Sequence, residues 1–214
     1  MNHQKSSLVA SLMEFGREAY KKGLIWGNSG NISCRLDDDK FLISGSSENL
    51  EKVCERDFVV VNLEDDYWEG EAKPSIEVKM HKEIYKAIED VCSVFHSQPF
   101  FTTLISCTNL EVDNRLFPES MAYIGNIGRI PYHHPGSDKL AKAVSEKVKE
   151  CDALILGNHG AICIGESLED VLLKTETLEF LCRIIAFAKV GGIELNYLSQ
   201  TMRNEFLMHL KDIK

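Results

Sequence analysis

An α/β fold, with a mixed central sheet flanked by helices in a single domain, is predicted by three observations. Short apolar runs rich in β-branched and aromatic residues alternate with longer stretches whose apolar residues recur at helical spacing. The length, 214 residues and 24.2 kDa, fits one hydrophobic core. No internal repeat, low-complexity segment or Pro/Ser-rich linker divides the chain.

Leu8, Leu12, Phe15 and Ala19 share one helical face after Ser6 and Ser7, and Gly23 ends the stretch, so the chain opens with an amphipathic helix. Residues 41–44 and 58–63 are rich in β-branched or aromatic residues and are bounded by acidic turn runs, which predicts two strands. Pro74 and Ser75 precede a stripe of Ile76, Met80, Ile84 and Ile88. That pattern predicts a helix with Ser75 as its N-cap and Glu77 in its first turn. A strand through 92–96, a buried segment through Ile105 and a helix from Ser137 carrying Leu140, Val144 and Val148 follow. Residues 153–156 and 161–164 are apolar runs on either side of Gly157-Asn158-His159-Gly160. Ser167 to Asp170 has capping-box spacing and opens a long helix that Gly191 and Gly192 close.

Hydrophobic residues make up 44% and charged residues 27% of the chain, the balance of a soluble globular domain. Asp and Glu outnumber Lys and Arg 33 to 24, a net charge of −9, and no basic run tracks along the sequence. Nucleic acid and anionic membrane surfaces are therefore not expected partners. The longest stretch free of charged residues, 92–110, holds His, Ser, Gln, Pro, Thr and Asn and is not a membrane span. The N-terminal residues lack the pattern of a secretory signal. The seven cysteines have no CxxC pair and no regular spacing, so they read as small core residues in a reducing cytoplasm.

Three of the seven histidines sit where chemistry is plausible. His96 ends a strand, and alternate strand residues point the same way, so His96 and Gln98 can present a nitrogen and an oxygen to one ion. A strand-end histidine is more often simply hydrogen bonded, so His96 alone carries no assignment. His159 lies between Gly157 and Gly160, which suit either a sharp turn presenting an imidazole to a cleft or an ordinary turn with glycine at positive φ. Glu77 and His81 are one helical turn apart, as a solvated pair or a catalytic one, and the second helical histidine of a zinc protease is missing. Residues 27–31, residues 44–47 and Ser75 offer backbone N–H groups and hydroxyls that suit a phosphate. None of them matches the Walker or dinucleotide-binding patterns.

Taken in order, GNSGNISCR, LISGSS, KPSIEVKMHKEIY, VFHSQP and LGNHGAICIGESLEDV resemble the class II aldolases of the fuculose-phosphate aldolase/adducin family, from about Gly23 to about Glu179. The resemblance implies a mainly antiparallel sheet in a three-layer sandwich and metal-dependent cleavage of a phosphorylated ketose to dihydroxyacetone phosphate and an aldehyde. A small-molecule sugar phosphate of the fuculose 1-phosphate or 5-deoxyribulose 1-phosphate type is then the expected partner. One divalent ion per subunit, and a cytoplasmic homotetramer with active sites at subunit interfaces, are also implied.

By position, the resemblance makes His96 and His159 two of three histidine ligands and Glu77 the acid/base that also approaches the metal. Gln98 stands where the family usually has another histidine. An amide oxygen is a harder donor than an imidazole, so manganese is expected over zinc. Asn28, Ser46, Ser47 and Ser75 match phosphate-holding positions, with Ile76 in place of a frequent serine. Tyr123 is the candidate for the aldehyde end, a place Phe117 could equally take. His133 and His134 precede a helix and are expected in a turn rather than on the substrate. Within the resemblance, an epimerase, a sugar-acid-phosphate decarboxylase and a non-catalytic adducin-like binding module are the competing functions.

Overall fold

The computed structural model describes residues 2–212. In chain order the elements are α1 (Asn2–Lys21), β1 (Asn31–Arg35), β2 (Lys40–Ser44), β3 (Phe58–Asn62), β4 (Trp68–Glu69), α2 (Val78–Ala87), β5 (Ser93–Ser97), α3 (Phe100–Ser106) and α4 (Pro118–Tyr123). There follow β6 (Ile127–Ile130), α5 (Asp138–Lys147), β7 (Ala153–Leu156), β8 (Gly160–Gly165), α6 (Leu168–Gly191) and α7 (Gln200–Asp212). The strands form one sheet in the order β4-β3-β2-β1-β5-β8-β7-β6. Only β6 and β7 run parallel; every other neighbouring pair is antiparallel.

Both faces of the sheet are covered, and the two-residue period of the strands sorts side chains between them. Phe41, Ile43, Val59, Val61, Val94, Leu154 and Ile162 pack with α2 and α5 on one face. Leu42, Phe58, Val60 and Phe95 pack under α1, while Ala153, Ile155, Ala161 and Cys163 pack under α6 on the other. This is a three-layer sandwich, and α6 crosses much of one layer with eleven buried residues.

The caps show how local sequence places the ends. Ser137 Oγ accepts the Leu140 N–H at 3.2 Å and starts α5. Ser167 Oγ accepts the Asp170 N–H at 3.1 Å, but the Asp170 carboxylate returns to the Glu166 N–H, one residue before the position a capping box uses. Gly192 closes α6 in the left-handed conformation, φ 63°.

Several expectations change. Residues 31–35, to which the sequence assigned no element, form a strand, because both faces of β1 are covered and its polar residues turn inward. The segment through Ile105 is helix α3. Helix α2 starts at Val78 with Glu77 at the N-cap position, so Ser75 lies outside the helix and its Oγ accepts the Glu77 N–H at 3.3 Å. Ile76 leaves the buried stripe and is 64% exposed. The cysteines are all free; Cys34, Cys151, Cys163 and Cys182 are buried, Cys54 is half-buried, and Cys92 and Cys107 are exposed rather than in the core. Among the described residues, no helix is long and apolar enough to cross a membrane.

Candidate active site

Asn31 opens β1, His96 lies near the end of β5, and the β7–β8 turn carries His159. Because the β1–β5 register pairs Asn31 with His96 and the β5–β8 register pairs Ser97 with Ala161, these residues share one edge of the sheet. Glu77 reaches the same edge from the start of α2. Gly30 and Gly160 permit the close approach: a Cβ on Gly30 would stand 2.8 Å from the His96 carbonyl, and one on Gly160 would stand 2.5 Å from the Ser97 carbonyl. Positive φ falls on Asn158, at 54°, and on Gly160, at 151°, whereas Gly157 packs against the backbone of residues 130–132.

The ligand atoms of Glu77, His96 and His159 lie within 4.8 Å of one another. His96 Nε2 is 3.3 Å from Glu77 Oε2, and His159 Nε2 is 3.6 Å from Glu77 Oε1. His96 Nδ1 lies 2.9 Å from the Ala161 carbonyl, which only accepts, so Nδ1 carries the proton and Nε2 offers its lone pair. That lone pair faces a carboxylate oxygen. Two acceptors at this separation repel unless a cation or a proton sits between them. Glu77 Oε1 and His159 Nδ1 are buried without hydrogen-bond partners. A carboxylate and two imidazoles converging in this way fit a divalent ion. Burial by itself raises the Glu77 carboxyl, but the facing His96 and His159 and the Asn31 amide together hold it below its ordinary value. Burial, with His96 beside it, pushes His159 down to about 4.

The other expected residues are distributed unevenly. Gln98 is half-buried one residue past the end of β5, its Cγ against Gly160 beside His159. Ser75, Ser46 and Ser47 come together: Gly45 bridges Pro74, and the Ser46 N–H donates to the Lys73 carbonyl at 2.8 Å. Ser47 holds a left-handed φ of 63°. Asn28 is exposed in the turn before Gly30. Tyr123 is not brought to the cluster within this chain. It ends α4 near Asp152, at the start of β7, whereas His159 follows the end of that strand. Phe117 packs against Phe180 of α6. His133 and His134 lie in the loop between β6 and α5, and His134 Nδ1 meets the Tyr132 hydroxyl at 3.1 Å.

Ser33 and Tyr85 escaped sequence reasoning, and Asn31 entered it only as part of a candidate phosphate-binding segment. Asn31 Nδ2 donates to Glu77 Oε2 at 2.9 Å, and His81, far from solvated, is fully buried between Asn31 and Ser33. Burial drives His81 down to about 3, which keeps it neutral. The alternation of polar Asn31, Ser33 and Arg35 with apolar Ile32 and Cys34 was the available signal, and it also describes a strand with a wet face.

Comparison with known proteins gives a consistent picture. The family described as Class II Aldolase and Adducin N-terminal domain matches residues 10–186. A 3-oxo-tetronate 4-phosphate decarboxylase of Haemophilus influenzae is 31% identical over 194 residues, 89% of this chain and 91% of that protein. An L-fuculose phosphate aldolase of Methanocaldococcus jannaschii is 31% identical over 163 residues, 76% of this chain and 87% of that protein. Among solved structures, YgbL of Klebsiella pneumoniae aligns with a TM-score of 0.87 and 27% identity, covering 94% of this chain and 98% of its own.

Proposed function

From the premise that this chain belongs to the class II aldolase and adducin N-terminal domain family, we propose that it is a metal-dependent carbon–carbon lyase whose reaction passes through the enediolate of dihydroxyacetone phosphate. The observation that carries this reading is the buried convergence of Glu77, His96 and His159, with acceptor atoms facing one another and Glu77 Oε1 unpaired. A divalent ion held there supplies Lewis acidity for the negative charge that develops on the substrate. Manganese is the proposed ion, because Gln98 offers an amide oxygen where a third imidazole would favour zinc.

Two leaving groups lead to the same enediolate. A 3-oxo sugar acid 4-phosphate of four carbons loses its C1 carboxylate as CO2, and the electron pair of the broken C1–C2 bond enters the enediolate. A ketose 1-phosphate loses an aldehyde through its C3–C4 bond. In either case Glu77 delivers a proton to the carbanionic carbon and regains one from water, giving dihydroxyacetone phosphate. Decarboxylation is the preferred reading. It needs only charge stabilisation and one proton donor, the two functions this chain's cluster contains. Aldol cleavage also requires a group that takes the proton from the hydroxyl of the departing aldehyde; within one chain Tyr123 lies away from the cluster, so a neighbouring subunit would have to supply that group. Aldol cleavage is the second reading, favoured by the 31% identity to a fuculose phosphate aldolase. The phosphate is assigned to Ser46, Ser47 and Ser75, with Asn28 at the exposed rim. A homotetramer with sites at subunit interfaces is the proposed assembly.

The test is the co-product. Metal-stripped protein reloaded with manganese is given 3-oxo-tetronate 4-phosphate and, separately, fuculose 1-phosphate. CO2 released with dihydroxyacetone phosphate supports the preferred reading, aldehyde release alone moves the assignment to aldolase, and neither, with every ion, overturns the lyase.

A further inference from the structure

Helix α2 and strand β1 interlock through their polar residues as a ladder. Glu77, His81 and Tyr85 are spaced by four residues along α2, and Asn31, Ser33 and Arg35 by two along β1. Four helical residues rise about 6 Å and two strand residues about 6.8 Å, so the two series stay in step. Each β1 side chain bridges a consecutive pair on the helix. Asn31 lies between Glu77 and His81, and Ser33 lies between His81 and Tyr85. Arg35 ends the series, with its guanidinium 4.9 Å from the centre of the Tyr85 ring and Nη2 donating to the Tyr85 carbonyl at 2.8 Å.

The chemistry of each group forces the direction of every bond. The Glu77 carboxylate accepts, so the Asn31 NH2 must face it, at 2.9 Å. Asn31 Oδ1 then faces His81 Nε2 at 2.6 Å, which must carry the ring proton. His81 Nδ1 is left as an acceptor, and the Ser33 hydroxyl donates to it at 2.7 Å. With the Ser33 proton committed, the Tyr85 hydroxyl donates to Ser33 Oγ at 2.8 Å. All four bonds run toward Glu77 Oε2, while Oε1 has no hydrogen-bond partner and faces His159 Nε2 at 3.6 Å.

We infer that Asn31, His81, Ser33 and Tyr85 are positioning residues: a one-way hydrogen-bond ladder that pins Glu77 Oε2 and leaves Oε1 as the oxygen that handles the proton. This rests on the lyase reading for its kinetic consequence only. The ladder rigidifies because every buried polar member is satisfied. An alternative in which these residues merely fill space predicts no direction and no grading along the series.

The test has two parts. In metal-free protein, ring ¹⁵N shifts of His81 are expected to show the proton on Nε2; a proton on Nδ1 overturns the ladder whether or not the protein is a lyase. In the manganese-loaded protein, His81→Phe is expected to lower kcat about tenfold to a hundredfold, with KM for the phosphorylated substrate within about twofold and manganese affinity reduced. His81→Gln, whose amide can still donate to Asn31, is expected to recover most of that loss. Should His81→Phe fail to fold, Ser33→Ala and Tyr85→Phe carry the same question, with kcat falling more for Ser33, which is nearer Glu77. Equal losses along the series, or no recovery by glutamine, overturn the inference. If no substrate turns over, the ring shifts and the manganese affinities still decide it.

Discussion

On the α2–β1 side of the cluster, the polar side chains from Asn31 to Tyr85 are joined inside the chain into one hydrogen-bonded series. On the β7–β8 side, His159 Nδ1 is buried without a partner, and among the described residues the Gln98 amide makes no hydrogen bond. Folding alone completes the first side. The second is complete only when something else arrives, because a buried polar atom without a partner costs about 1–3 kcal/mol and an ion or substrate relieves that cost. The contrast is between a side whose polar groups are satisfied by folding and a side that keeps unpaired donor atoms able to hold an ion.

The largest expected effect breaks the finished side at its working end. Glu77→Gln keeps the shape but removes the oxygen that carries the proton, and turnover should fall about a hundredfold to ten-thousandfold. Manganese should still bind through His96 and His159. Steady-state release of dihydroxyacetone phosphate and equilibrium dialysis check the two halves of this outcome, and wild-type turnover would remove Glu77 from the chemistry.

On the open side, His159→Ala should weaken manganese binding by about a hundredfold or more, beyond the usual loss for an outer-shell partner. The melting temperature of the metal-free protein should hardly move, since the His159 ring makes no hydrogen bond that folding depends on. Chelator competition and thermal melts measure both. A large loss of stability without metal would erase the contrast between the two sides.

Gln98→His should shift the balance between zinc and manganese toward zinc by about tenfold, because an imidazole is a softer donor than an amide oxygen. An unchanged metal profile would place Gln98 outside the coordination sphere.

The gentlest test is acid. His81 and His159 are both depressed below the ordinary histidine value, to about 3 and about 4. The unfolded chain therefore binds more protons in that window, and stability should fall as pH drops from about 6.5, by about 1.4 kcal/mol per pH unit for each group. Between pH 6.5 and 4 both contribute; below about 4 His81 continues, and the Glu77 carboxyl, held below its ordinary value, adds a loss of the same sign. Urea titrations of metal-free protein across pH should show His159→Ala with roughly half the slope above pH 4.

Much of this was legible in one dimension. The apolar period of residues 8–19, the caps at Ser137 and Ser167 and the glycine stop at Gly192 are local signals, and the elements formed where those signals stood. Glu77, His96 and His159 carried motifs short enough to read. The polar strand β1 was not legible, because Asn31, Ser33 and Arg35 look like a solvated face until a helix covers them. Ser75 was read as an N-cap because Pro-Ser before an apolar stripe is a start signal; the bridge from Gly45 to Pro74 holds that segment extended and delays the helix to Val78. Tyr123 was named from the family resemblance, and in this chain it ends α4 beside Asp152, before the start of β7, away from the cluster that His159 joins after that strand.

The sequence by itself determined the alternation of helices and strands, the net charge of −9 without a basic run, and the residue types able to hold a divalent ion. These follow from periodicity, composition and spacing, which act over a few residues. Only the tertiary structure decided that three side chains able to hold an ion, separated by as many as 82 positions from Glu77 to His159, meet within 4.8 Å. It also decided that His81 is neutral and buried, and that the donors between α2 and β1 all point one way. Those properties depend on strand register, on which face a helix covers and on the desolvation that follows, and none of these exists until the layers close.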